Sequence, residues 1–450
     1  MHPVVMMRVG RRWGVAVALA LVPSLMTLPS HATTDTAPTP EPSTSATTEP
    51  VETAPPAEPA PTPTASPEQT APAPERSAAP RTATAPPATS KRTAQAATKR
   101  WVSIQVNSGH DTRVLTRENF WLRGRVLTTK GKPQARAKVK IYRYSGKRKT
   151  RVKTLRTSKT GWYSWSPAKP RSGVYRAVVS TTRSSAKIRV KRHTGTRTLA
   201  SREKSMGFLL GKPTSGVRRA GDVAWRNYAR ATLVQRGSRT WLVRGKHLST
   251  YRSHAGAKGR LGAPTGDVRC GLPEGGCLQQ FRTGAIYVNK KAKKKVTVAV
   301  SPKLGAADLV AVAKSQVGYR EKTPRQSKYN RWIGETDPPD AWCGYFVSWL
   351  AHAAGKPGAV LKSKSFPALV KAERKRGRTA KTPRVGRLAY IGYFEKGKPT
   401  HVGIVSKVKG DHVWTVEGNV SAGGGSRIPR GVHVVKRHTS RIVFYADPKY

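Results

Sequence analysis

Cysteine is scarce in this 450-residue chain, which has three. Cys270 and Cys277 bracket the short loop Gly271-Leu272-Pro273-Glu274-Gly275-Gly276, a spacing suited to a local disulfide in an oxidising compartment. Cys343 is then the lone thiol, and it opens the apolar stretch Cys343-Gly344-Tyr345-Phe346-Val347-Ser348-Trp349-Leu350. A thiol so placed is either a nucleophile or a small core residue, and spacing alone does not separate the two. Metal-ligand patterns are missing as well: there is no His-x-His and no His-Glu-x-x-His. That argues against a catalytic zinc, and the chain is expected to work without metal or cofactor.

Acidic residues are few, 23 against 84 Lys and Arg, for a formal net charge of +61. Residues 1–32 hold three basic and no acidic side chains, and residues 33–98 hold four basic and seven acidic ones. The whole excess of +61 therefore falls on residues 99–450. So basic a surface seeks polyanions. No nucleic-acid recognition motif or stacking platform is evident, so specific nucleic-acid binding is not expected. Anionic cell-wall polymers are the expected partners, with anionic lipid headgroups as a peripheral contact and a merely solvated basic surface as the plain alternative.

Long apolar runs are also missing, apart from Val15 to Leu28, which Pro23 and Ser24 interrupt. A membrane-spanning helix needs about 20 apolar residues. Arg8, Arg11 and Arg12 ahead of this run, and Ser30-His31-Ala32 after it, read as an export signal over 1–32. The expected location is extracellular, at the cell wall. Residues 33–98 lack aromatics and are rich in Pro, Thr and Ala, so a disordered, extended linker is expected there.

Three folded modules follow. Over 99–195, period-2 runs (Val102, Ile104, Val106; Val139, Ile141; Val174, Val178; Ile188, Val190) alternate with Gly-containing turns, as in a β-sandwich. Gly161-Trp162-Tyr163-Ser164-Trp165 and Gly173-Val174-Tyr175-Arg176 resemble paired strands of bacterial immunoglobulin-like modules. Over 205–292 an internal repeat stands out. Leu210-Gly211-Lys212-Pro213-Thr214 recurs as Leu261-Gly262-Ala263-Pro264-Thr265, each ahead of an aromatic-bearing strand, Thr240–Val243 in one and Phe281–Val288 in the other. This predicts a small stacked β array. The region resembles the LGFP repeat of secreted wall proteins, which implies attachment to the envelope. It departs from that pattern where the eponymous Phe is replaced by Lys212 and Ala263.

The last module, 302–450, opens with a helical stripe from Leu304 to Val317. Pro338-Pro339-Asp340 reads as the stop and cap before the cysteine helix. A cysteine in a helix's first turn meets unpaired N–H groups and the positive end of the dipole, which favour a thiolate. Its base should be a histidine that packing does not explain, and His401 in the apolar strand Thr400-His401-Val402-Gly403-Ile404-Val405 fits. Gly403 would let a neighbour approach closely. In the next strand Glu417 and Asn419 share a face under period-2 geometry, and either could hold the second ring nitrogen.

Ala341–Leu350, Pro383-Arg384-Val385-Gly386, Thr400–Val405 and Thr415–Ser421 together resemble a CHAP domain, the cysteine/histidine-dependent amidohydrolase/peptidase family. The resemblance implies a papain-like α/β fold that cleaves amide bonds in peptidoglycan. It implies Cys343 as nucleophile, His401 as general base and acid, and Glu417 as the residue polarising the histidine, with Asn419 assisting or substituting. The family's Gly-Asp-Leu stands here as Gly386-Arg387-Leu388. The expected function is thus a secreted peptidoglycan amidase or endopeptidase; the alternative is a non-catalytic envelope- or polyanion-binding protein.

Overall fold

The computed structural model describes residues 101–109, 113–116, 118–324, 326–335, 341–394, 397–422 and 429–450. The expected signal (1–32), linker (33–98) and Pro338-Pro339-Asp340 cap lie outside the described residues.

The first module has two sheets around one core. Gln105–Val106, Leu122–Arg125 and Trp162–Trp165 make the smaller. The larger runs, in spatial order, Arg113–Leu115, Ile188–His193, Gly173–Val178, Lys138–Ser145 and Arg148–Arg156. Alternation drives the packing: Val139 and Ile141 point inward with Ala177 and Val190, and meet Val106, Leu122 and Tyr163 of the smaller sheet. Trp162–Trp165 and Gly173–Val178 do not pair with each other, contrary to the sequence expectation. The first pairs with Leu122–Arg125 and the second with Lys138–Ser145. Pro167 and Pro170 in the connection preclude a tight hairpin, so the chain crosses to the other sheet.

In the repeat region each unit is a helix followed by a four-stranded antiparallel meander. Leu199–Leu210 precedes Arg218–Ala220, Val223–Tyr228, Ala231–Arg236 and Arg239–Arg244. Lys246–Ser253 precedes Arg269–Leu272, Gly276–Gln280, Gly284–Val288 and Val296–Val300. The Leu-Gly-x-Pro turns make the same bridges, Pro213 to Tyr228 and Pro264 to Phe281. Gly211 and Gly262 have φ of 75° and 68°, a conformation that explains glycine at both turns. This register corrects the strand correspondence read from sequence: Gly284–Val288 matches Ala231–Arg236, not Thr240–Val243. Cys270 and Cys277 face each other across paired strands and are joined by a disulfide.

The first module is tied to the repeats by a buried ion cluster. Arg202 donates to Glu118 at 2.9 Å and to Asp267 at 2.6 Å, and its side chain is fully buried.

The last module is a six-stranded antiparallel sheet in the order Thr379–Ala380, Ile442–Ala446, Leu388–Ile391, His401–Lys409, His412–Val420, Gly431–His438. Four helices accompany it: Ala306–Gln316, Lys328–Ile333, Cys343–Ala353 and Phe366–Lys375. The first begins at Ala306, leaving Leu304 exposed, and it has no solvent stripe: Ala306 to Ala313 are all buried. It lies between the second repeat's last two strands and the cysteine helix with the histidine strand. Leu278, Ala285, Tyr287 and Ala299 of the repeat thereby share one core with Leu309, Val312, Phe346, Val347, Val402 and Ile404. No helix among the described residues is long and apolar enough to cross a membrane.

Candidate active site

Cys343 is the first residue of its helix and 4% exposed. The preceding Trp342 is the N-cap residue and gives no side-chain cap bond; it anchors the helix start in another way. Its indole N–H donates to Glu321 Oε2 at 3.0 Å, and its ring stacks on Tyr329 with centroids 5.2 Å apart. Glu321 Oε1 accepts the backbone N–H of Arg430 at 2.9 Å. On the opposite side, a Cβ at Gly418 would fall 2.6 Å from the Trp342 ring and 2.8 Å from Phe346. Glycine there permits the close approach of the glutamate strand to the cysteine helix.

His401 opens its strand and is 5% exposed. Gly403, two residues on, pairs across the ladder with Glu417, and a Cβ at 403 would lie 2.6 Å from Glu417 Cγ. The missing side chain is what gives the carboxylate its space. Glu417 Oε2 lies 2.9 Å from His401 Nε2. A carboxylate only accepts, so Nε2 carries the proton and Nδ1 is left for the sulfur. Burial pushes the His401 pKa down, but the charge and hydrogen bond of Cys343, together with those of Glu417, outweigh it and leave it raised to about 9.

Glu417 is fully buried yet surrounded by donors. Arg437 Nε donates to Oε1 at 2.6 Å and Arg437 Nη2 to Oε2 at 2.7 Å. The Thr415 hydroxyl donates to Oε1. Burial raises the carboxyl's pKa; the hydrogen bonds from Arg437 and His401 and their charges overcome this and hold it at about 2. Arg437 Nη2 also donates to the Tyr393 hydroxyl, whose ring lies 5.1 Å from the guanidinium and 5.6 Å from the His401 ring.

Asn419 is placed differently. The ladder slips between Gly418 and Val420, and Asn419 takes a left-handed φ of 66°. Period-2 alternation therefore ends at Glu417, and the Asn419 carboxamide oxygen accepts from Arg430 Nη1 at 3.5 Å. The ring's Nε2 partner is the carboxylate. Arg387, where the family pattern has Asp, pairs with Asp447 at 3.1 Å beside Arg384 at 2.5 Å. Among the described residues no group of three or more His, Cys, Asp or Glu side chains could hold a metal ion.

Arg437, Tyr393 and the role of Thr415 were not anticipated from sequence. Arg437 alternates in register with Val435 and His433, the partners of Thr415 and Glu417, which points it to the same face. That signal is drowned by the 84 basic residues of the chain.

The site thus brings together a buried thiol at a helix start and an imidazole held by a carboxylate. The chain carries a CHAP domain, whose family model matches residues 335–419, and an LGFP repeat, matched over residues 261–307. A CHAP domain is a hydrolase and peptidase domain, and LGFP repeats accompany cell-wall proteins. No curated protein matches. Among solved structures, the superoxide reductase (neelaredoxin) of Ignicoccus hospitalis is similar at 14% identity, covering 20% of this chain and 80% of that one, with a TM-score of 0.17. Invasin, a bacterial integrin-binding protein, is similar at 14% identity over 45% of this chain and 37% of its own, with a TM-score of 0.16. Similarity at that level bears on neither fold nor function.

Proposed function

We propose that the protein is a secreted peptidoglycan hydrolase that cleaves an amide bond, either as an N-acetylmuramoyl-L-alanine amidase or as a stem or cross-bridge endopeptidase. The observation that carries this is the convergence of Cys343, His401 and Glu417, with the 2.9 Å Nε2 to carboxylate bond fixing the imidazole. The Cys343 thiolate attacks the amide carbonyl, forming a C–S bond and a tetrahedral oxyanion held by backbone N–H groups at the helix start. The imidazolium of His401 gives its proton to the amine as the C–N bond breaks. The neutral ring then takes a proton from water, whose oxygen attacks the thioester and frees the thiolate. Glu417 keeps the ring's tautomer and orientation and stabilises its positive form.

In this reading residues 1–32 direct export, 33–98 give reach, 99–195 form an immunoglobulin-like spacer, 205–292 attach to the wall and 302–450 cut. Support for attachment to anionic polymers is the +61 charge, all beyond residue 98. A non-catalytic polyanion-binding protein is the alternative that this charge favours.

The test is mass spectrometry of fragments released from purified peptidoglycan by the wild type and by Cys343→Ala. The variant should lose roughly 10⁴-fold or more in turnover while still binding wall. New lactyl-muramic ends with free alanine amines identify an amidase, and shortened or uncross-linked stems an endopeptidase. Equal, negligible release by both proteins from several wall types would overturn the hydrolase in favour of the binding protein.

A further inference from the structure

The two repeats present the same structural position in two chemical states. In the second repeat Arg269, the first residue of its strand, pairs with Leu278, and Gln280 lies two residues beyond. In the first repeat the equivalents are Arg218, paired with Trp225, and Asn227. The backbone confirms the match: Thr265 donates to the Gln280 carbonyl and Thr214 to the Asn227 carbonyl.

In the second repeat these polar groups meet a carboxylate supplied by the chain itself. Asp308, from the helix that follows, is fully buried, with Arg269 at 3.8 Å, Lys356 at 3.3 Å and Gln280 Nε2 at 3.3 Å from its Oδ2. In the first repeat the following helix, Lys246–Ser253, has Leu248 as its third residue, where Asp308 is third in its own helix. Leu248 packs into the apolar core with Trp225 and Tyr251. What remains is a cavity of about 290 Å³ lined by Arg218, Asn227, Thr232, Arg252 and Lys258 around Trp225 and Tyr251. No acidic side chain is among its described lining residues.

Both positions border a cavity, about 480 Å³ beside Arg269, Gln280 and Lys356 in the second repeat, but only the second repeat answers its cationic groups with a carboxylate of its own. We propose that the first repeat's pocket binds a carboxylate of an external ligand, in the place where the second repeat holds Asp308. Arg218 and Lys258 supply charge, and the Asn227 carboxamide N–H supplies orientation, its oxygen being held by the Thr232 hydroxyl, which donates to it at 2.8 Å. Arg252 is the fixed wall of the pocket, because its Nη2 donates to the carbonyls of Tyr228 and Ala231 at 2.8 and 3.1 Å. Wall peptides ending in a free carboxylate are the fitting ligand class, and only that source rests on the wall-attachment reading; the pocket itself is separate from Cys343.

The test uses the full chain with Cys343→Ala, labelled with 5-fluorotryptophan, the Trp225 resonance being assigned by its loss in Trp225→Phe. The probes are N-acetyl-D-alanyl-D-alanine, its C-terminal amide and glycerol phosphate. The free acid should shift the Trp225 signal saturably and the amide should not. Arg218→Ala with Lys258→Ala, both away from the core, should weaken binding by about tenfold or more. The same pair in the Cys343 protein should leave hydrolysis of a small soluble muropeptide unchanged, so failure of the pocket and failure of the hydrolase are distinguishable. No shift with the free acid, or a shift indifferent to the double variant, would overturn the site. Tighter binding of glycerol phosphate than of the free acid would overturn the carboxylate assignment.

Discussion

Two buried glutamates, Glu417 beside the cysteine and Glu118 between the first module and the repeats, have opposite electrostatic fates. Both are fully buried and both meet an arginine. Glu417 receives four hydrogen bonds, from Arg437 twice, Thr415 and His401, and its pKa falls to about 2. Glu118 meets arginine only through Oε2, its Oε1 has no hydrogen-bond partner among the described residues, and Asp267 adds a like charge. Burial dominates there and its pKa is raised. Donor count, not burial, decides the sign, and a surplus of donors suits a carboxylate that, in the proposed mechanism, stays charged while its neighbour shuttles a proton.

The largest expected effect on this contrast comes from Glu417→Gln, which keeps the shape and removes the charge. Turnover should fall by about 10²–10⁴-fold, with the fold intact by circular dichroism. Arg202→Ala should act on stability alone. Leaving Asp267 with backbone donors alone and Glu118 with only Arg197 at 3.5 Å in the interior should cost about 3–5 kcal/mol in denaturant unfolding, with little change in turnover by the protein that remains folded.

Arg437→Met separates the two roles within one site. Glu417's depressed pKa contributes stability that is present above about pH 4.5 and lost as pH falls through about 2. Without the guanidinium that carboxyl should titrate higher, so activity near pH 5 should fall by roughly tenfold relative to pH 7, a ratio the wild type should not show. At the alkaline end the wild type should lose kcat/KM as pH rises through about 9, where His401 gives up its proton. The stability that His401 contributes is full below about pH 6.5 and is lost over the same rise. Asn419→Ala should have the smallest effect, within about threefold in turnover, because its carboxamide meets Arg430 rather than the ring.

Local patterns made part of this architecture readable. A thiol at a helix start, a polar ring in an apolar strand and a twice-used Leu-Gly-x-Pro turn each leave a mark within a few residues of sequence. Asn419 was legible only as far as alternation holds, and the bulge after Glu417 depends on strand pairing. Arg437 was hidden by its background, since one inward guanidinium in a chain this basic looks like the outward ones. The helix Ala306–Gln316 misled through its flanks: its apolar residues suggested one stripe, whereas packing from both sides buries nearly every position. Which surface covers the second side is a property of the tertiary arrangement, absent from the helix's own periodicity.

The continuous core joining the second repeat to the cysteine helix has a mechanical meaning. A cutter on a loose leash explores a volume around its anchor and cleaves wherever diffusion takes it. A cutter welded to its anchor explores only the shell that the rigid body sweeps, and here the shared core fixes the distance and angle between the second repeat and the cysteine helix. Were that repeat to grip the wall, the enzyme would work like a gauge, reaching bonds at a set offset from its hold and sparing those nearer or farther.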